Sequence, residues 1–308
     1  MVALANFILR GRLHALLVTA VAAVLMLLVP LIGIIAGGAL ALVTLRNGVG
    51  EGLLIAVGTA AVLAVAAQVL GGAASTGGIA AALALSWAPL LLGAAVLRST
   101  RSQAAALAAA GLGIAGFALL FHASVGDTAA WWRAFLPDFL QPLLERLPMS
   151  EAEQEEFLGA MASAMTGGLA ATLLSGTMAA LLFGRWLQSL VFNPGGFGAE
   201  FRALRLGRMM SVVALLVLAL SSLLGGWIGG VTLTLLFLCA TMLAVQGLAL
   251  AHALVTLRGA HVGWLIALYG LLVFFPPQAL VVLAAAGFAD GWFDLRARTK
   301  SGGPPQRS

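Results

Sequence analysis

The sequence predicts an all-α integral membrane protein, and three observations carry that reading. Of 308 residues, 62% are hydrophobic and only 9% are charged, against about 45–50% and about 25% in soluble domains. The mean hydropathy is +1.07. The apolar residues fall in stretches of about 20, the length that crosses a hydrocarbon core of about 30 Å as helix. A chain so composed cannot cover itself with polar surface, so its first partner is the lipid bilayer. The single cysteine, Cys239, excludes an internal disulfide, and no Cys/His spacing suits zinc. The net charge of +5 is spread over short loops. That argues against nucleic acid as a partner.

Taken in order, Arg10 and Arg12 precede an apolar run over 13–45. It is too long for a signal h-region of about 7–15 residues and reads as retained membrane structure. As one helix it would be about 50 Å long, with Pro30 near its middle. Full spans are expected at 52–71, 79–97, 103–122, 160–184, 209–229 and 232–256. The stretch 262–289 is interrupted by Pro276 and Pro277. It and 13–45 are each either one long kinked span or a hairpin of two short helices.

Charge arbitrates, because cytoplasmic loops are enriched in Lys and Arg. With Arg46, Arg98, Arg101, the cations of 185–208 and Arg258 all inside, the six spans alternate. The 123–159 loop then falls outside; it holds seven acids and two arginines. Both chain ends are inside only if 13–45 and 262–289 each cross twice or re-enter. The favoured topology is six spans flanked by two hairpins, with two kinked spans as the alternative. Residues 1–298 read as one membrane domain and 299–308 as a disordered cytoplasmic tail. In the outer loop, Trp131, Trp132, Phe135, Phe139, Leu143 and Leu147 recur at helical spacing, which predicts an interfacial helix. Pro137 and Pro142 should break or kink it. Ser150 and Glu153 form a capping-box pattern opening a helix that runs to about Arg185.

Few ionisable groups fall inside the spans. His252, Gln68, Gln246 and Gln278 read as partners for hydrogen bonds between helices. His14, His122 and His261 lie near span ends, and Glu51 sits at a boundary where it can pair with Arg46. Leu174-Ser175-Gly176 lacks the first glycine of the G-x-S-G of an intramembrane serine protease, so a hydrolase using Ser175 and His252 is a weak alternative to a non-enzyme. No H-E-x-x-H or P-loop is present, so energy for transport would come from a partner or an ion gradient. No cofactor is implied. Gly111-Leu-Gly113-Ile-Ala-Gly116 resembles a dinucleotide fingerprint but lacks a preceding strand; helix packing explains it better.

Two polar segments stand out. Asn193-Pro-Gly195-Gly196 is turn chemistry. After it, Glu200, Arg202, Arg205 and Arg208 suggest a short arginine-faced helix able to hold lipid phosphate, a partner's carboxylates or phosphate on a ligand. Near the C-terminus, Asp290, Trp292, Asp294, Arg296 and Arg298 place Asp294 four residues from both Asp290 and Arg298, as neighbours on a helix face. The plain reading of both segments is topological charge plus an internal Asp–Arg clasp.

These two segments, with Arg10-Gly-Arg12 and Gly50-Glu51-Gly52, resemble the YybS-like family of bacterial integral membrane proteins along essentially the whole chain. That resemblance implies a bacterial inner-membrane location. It also implies distant kinship with the substrate-binding (S) components of energy-coupling-factor transporters. A small ligand would then bind near the outer side, and transporter subunits would dock from the cytoplasm. The expected function is a small-molecule binding or transport component. The alternative is an assembly protein that binds a cytoplasmic partner or anionic lipid through its arginines.

Overall fold

A computed structural model describes residues 1–69, 76–146 and 148–301. Gly71, Gly72, Leu147 and residues 302–308 of the expected tail lie outside them; residues 299–301 close the last helix. Among the described residues the secondary structure is helical throughout.

The 13–45 run takes the hairpin form. After α1 (Val2–Leu9), α2 covers Arg12–Leu25, a 3-10 turn covers Pro30–Ile32, and α3 covers Gly33–Asn47. Proline has no N–H to give and crowds the residue before it out of helical geometry. Val29 is accordingly extended, at φ −133° and ψ 95°, and α2 packs back on α3. The 262–289 stretch is also interrupted at its prolines, into α13 (Gly263–Phe274) and α14 (Pro276–Phe293), with Phe275 non-helical between them.

Each expected full span has its helix: α4 (Val49–Val69), α5 (Thr76–Thr100), α6 (Gln103–Val125), α9 (Glu151–Phe192), α11 (Arg208–Leu223) and α12 (Gly226–Leu257). One boundary is corrected. The 209–229 span stops at Leu223, because Leu224 and Gly225 are extended and Gly226, at φ 58°, starts the next helix. Among the described residues, five segments are long and apolar enough to cross a membrane: Pro30–Asn47, α4, α6, α9 and α12. A sixth is added if α10 (Gly196–Ala203) and α11, bent by 50° at their junction, count as one.

The interfacial helix expected in the outer loop is two helices, α7 (Thr128–Arg133) and α8 (Leu136–Leu144). Pro137 starts the second, where its missing N–H costs nothing. Pro142 is accommodated inside α8. Leu136, Leu140 and Leu144 bury one face of α8 against Ala162, Phe157 and Met161 of α9. Phe135, Phe139 and Leu143 remain exposed on the other. The capping box is present: the Ser150 hydroxyl accepts from the Glu153 N–H, and Glu153 accepts from the Ser150 N–H at 2.7 Å. Those bonds from Ser150 hold the Glu153 carboxyl below the usual range.

The core centres on α3, whose residues 36–45 are all buried. It packs on α9 through small residues. A Cβ at Gly184 would lie 2.6 Å from the Ala41 Cβ, and one at Gly37 would lie 2.7 Å from the Ala180 Cβ. The α12–α14 crossing is closer still. Gly247 faces the Leu283 carbonyl while Gly287 sits between Leu243 and Gly247, so the contact register runs in opposite senses along the two helices. Gln246 ties the crossing together, donating to the Gly287 carbonyl and accepting from the Leu206 N–H, each at 2.7 Å. Gly111 and Gly113 pack against Met242 and Pro89, as the helix-packing reading expects, whereas Gly116 faces open space.

Candidate functional site

Hydrogen bonds and ion pairs gather the arginines at one end of the bundle. Arg12 pairs with Glu51 at the start of α4, so Arg46, expected there, is displaced and lies over the Phe192 ring instead. Arg98 donates to the Leu45 and Arg46 carbonyls that end α3. Arg185 pairs through two nitrogens with Glu200.

The expected arginine-faced helix is corrected. α10 ends at Ala203, and Gly207 holds φ 83°, a left-handed conformation that glycine adopts without steric cost. Arg202 therefore ends one helix, Arg205 lies in the connection, and Arg208 begins α11. Asn193 caps the end of α9, and Gly195, at φ 84°, and Gly196 turn the chain into α10. The Asp290–Asp294–Arg298 face is broken too. Asp294 sits at φ 44° between α14 and α15 (Leu295–Ser301), where it caps Ala297 and pairs with Arg205. The Arg205 hydrogen bond and the Ala297 N–H hold the Asp294 carboxyl below its usual range. This half-exposed bond is thus intact at neutral pH and is lost as pH falls through that lowered value.

Beneath it lies a second clasp with a different character. Arg296 is 3.1 Å from Asp290, and their side chains are 6% and 0% exposed. Arg296 also donates to the carbonyls of Arg202 and Leu204. Burial pulls its guanidinium pKa down, and Asp290 opposes the shift. The Asp290 oxygens, the Trp292 indole nitrogen and the Arg296 Nε are buried without a hydrogen-bond partner. Arg208 stacks on Trp292 at 4.2 Å and Arg298 lies over Phe293 at 5.7 Å. Most of the C-terminal residues singled out in the sequence therefore fasten the C-terminal helices to the α10–α11 connection.

The opposite end holds a pocket of about 370 Å³ that no sequence motif marked. The ends of α6, α7 and α9 and the α11–α12 turn bring together His122, Asp127, Thr128, Arg133, Ser163, Ser221 and Trp227. His122 is buried. Its Nε2 lies 3.0 Å from the Thr234 hydroxyl, which already donates to the Gly230 carbonyl. Its Nδ1 lies 3.4 Å from the Thr128 hydroxyl, so both ring nitrogens have a hydroxyl partner. The Trp227 indole donates to the His122 carbonyl at 2.9 Å. Neither Asp127 nor Arg133 is in an ion pair among the described residues. Sequence reasoning put His122 at a span end and the charges in a loop. It could not see four separated segments converge.

The remaining candidates are placed separately. Ser175 is exposed and donates to the Ala171 carbonyl of its own helix, whereas His252 makes a hydrogen bond between helices, to Tyr269 of α13 at 2.9 Å. Gln278 is exposed, His14 meets Phe7 edge to face, and His261 accepts from the Gly263 N–H. No family model, curated protein or solved structure matches the chain.

Proposed function

We propose that this multi-pass membrane protein binds a small polar solute in the pocket bounded by His122, Asp127, Arg133 and Trp227. The observation that carries this reading is the pocket itself, polar in part and set at the end opposite Arg98, Arg185 and Arg205. Its volume lies in the ordinary range for ligand sites, about 300–1,000 Å³. One unpaired carboxylate and one unpaired guanidinium suit a solute without net charge, such as a zwitterion. The resemblance to the YybS-like family, and through it to S components, supports an outward-facing ligand site in a bacterial inner membrane. In this reading transport draws its energy from partner subunits. Binding, not bond cleavage, is the assigned task.

Native mass spectrometry in mild detergent, after incubation with a small-molecule cell extract, tests it. The wild type should carry one solute, and Ala130→Trp, which fills the pocket, should carry none. A bare wild type, or a solute retained by the variant, overturns the reading in favour of the assembly role. Sidedness has its own test. A reporter fused after Ser308 should read cytoplasmic and one inserted beside Asp127 external; the reverse refutes the orientation.

A further inference from the structure

We infer that the arginine end carries a phosphate-binding pocket in which Arg98 and Arg101 at the α5–α6 connection, rather than Arg202, Arg205 and Arg208, supply the free guanidinium groups. A cavity of about 540 Å³ lies where α3, α5 and α9 end beside α10, lined by Leu45, Arg98, Arg101, Arg185, Asn193 and Glu200 among others. The sequence scatters these residues over more than 150 positions, and only the fold makes them neighbours.

The accounting of donors and acceptors points to an anion. The Glu200 carboxylate is already engaged: Arg185 bonds to both of its oxygens, and Gln103 donates to one of them. Gln188 gives its amide oxygen to Arg185. On the donor side, Arg98 uses a single nitrogen on the α3 carbonyls. Arg101 and Arg98 form no ion pair among the described residues. Arg101 is held at φ 57° in the tight α5–α6 connection, which sets its side chain at the cavity rather than along α5. Two uncompensated guanidinium groups and the Asn193 amide thus border one concavity with Leu45, Leu97 and Phe192 as its apolar wall. Topological arginines need only reach water. These converge, which is the geometry that guanidinium groups use on phosphate oxygens.

The group bound is a phosphate that carries net negative charge, on either an anionic lipid headgroup or a free solute. The test uses full-length protein in detergent with three probes: dihexanoyl-phosphatidylglycerol, dihexanoyl-phosphatidylcholine and inorganic pyrophosphate. Bound probe is counted by native mass spectrometry. Retention of phosphatidylglycerol over phosphatidylcholine, at least tenfold weaker in Arg101→Gln and abolished in Arg101→Glu, identifies a headgroup site. Pyrophosphate binding with the same response identifies a solute site. Arg258→Gln, a charge change away from the cavity, should leave either unchanged. Both Arg101 variants should melt with the wild type, since Arg101 is exposed and unpaired. Equal retention of both lipids with no pyrophosphate binding, or binding indifferent to Arg101→Glu, overturns the inference. So does equal weakening by Arg258→Gln, which would mean general charge attraction.

Discussion

Asp290→Ala or Arg296→Ala should each lower stability by about 3–5 kcal/mol, the usual cost of stranding one buried charge. The pair is enclosed, and Arg296 is also what satisfies the carbonyls of Arg202 and Leu204. Losing the arginine therefore orphans both carbonyls and strands the Asp290 carboxylate, and α15 should detach. Thermal unfolding in detergent reads the first effect, and protease cleavage after residue 294 reads the second. The double variant Asp290→Leu/Arg296→Met should recover much of the loss, because the penalty belongs to the unpaired charge. Single variants that melt with the wild type would show that the pair opens to water.

Gly287→Leu should be as damaging for a steric reason. A Cβ at that position would lie 2.0 Å from the Leu243 carbonyl oxygen, and one at Gly247 would lie 1.9 Å from that of Leu283. Both obstacles are backbone, so no rotamer change relieves them. Overpacking typically costs about 1–3 kcal/mol where side chains can yield, and here the helices must separate. Separation also breaks the Gln246 bonds that hold α10–α11 to the crossing. Gly287→Ala should already lower the melting temperature clearly, whereas Gly176→Ala, facing open space, should not. An unchanged melting temperature for Gly287→Leu would mean that α14 does not pack on α12 in this way.

What the sequence made legible was governed by local rules. Pro30 split its run because proline acts on its immediate neighbours, and Ser150–Glu153 opened α9 because a cap is a four-residue device. Charge spacing gathered Arg12, Arg46, Arg98 and Arg205 at one end before any coordinates. Inferences that extrapolated a spacing across a break went astray. Arg202, Arg205 and Arg208 look like one helical face only if Gly207 is ignored, and Asp294 joins Asp290 and Arg298 only if α14 continues. Both pockets were illegible for a further reason. In a chain this apolar, the residues facing protein and those facing lipid have the same character, so periodicity cannot report which faces meet. Trp227 and His122 are 105 positions apart, and nothing in either neighbourhood names the other.

The burial of α3 fixes an order of events during synthesis. It precedes α5 and α9 in the chain, yet those helices supply much of its final surroundings. Chains emerge N-terminus first, so α3 is made before the partners that fill the notches at Gly37, Gly38 and Ala41 exist. Its short span, Pro30–Asn47, is less apolar than α4 or α6, so it is poorly suited to stay in lipid unaided. The centre of the molecule is completed only when Gly184 of α9 arrives to close over Ala41, well after half the protein has been made.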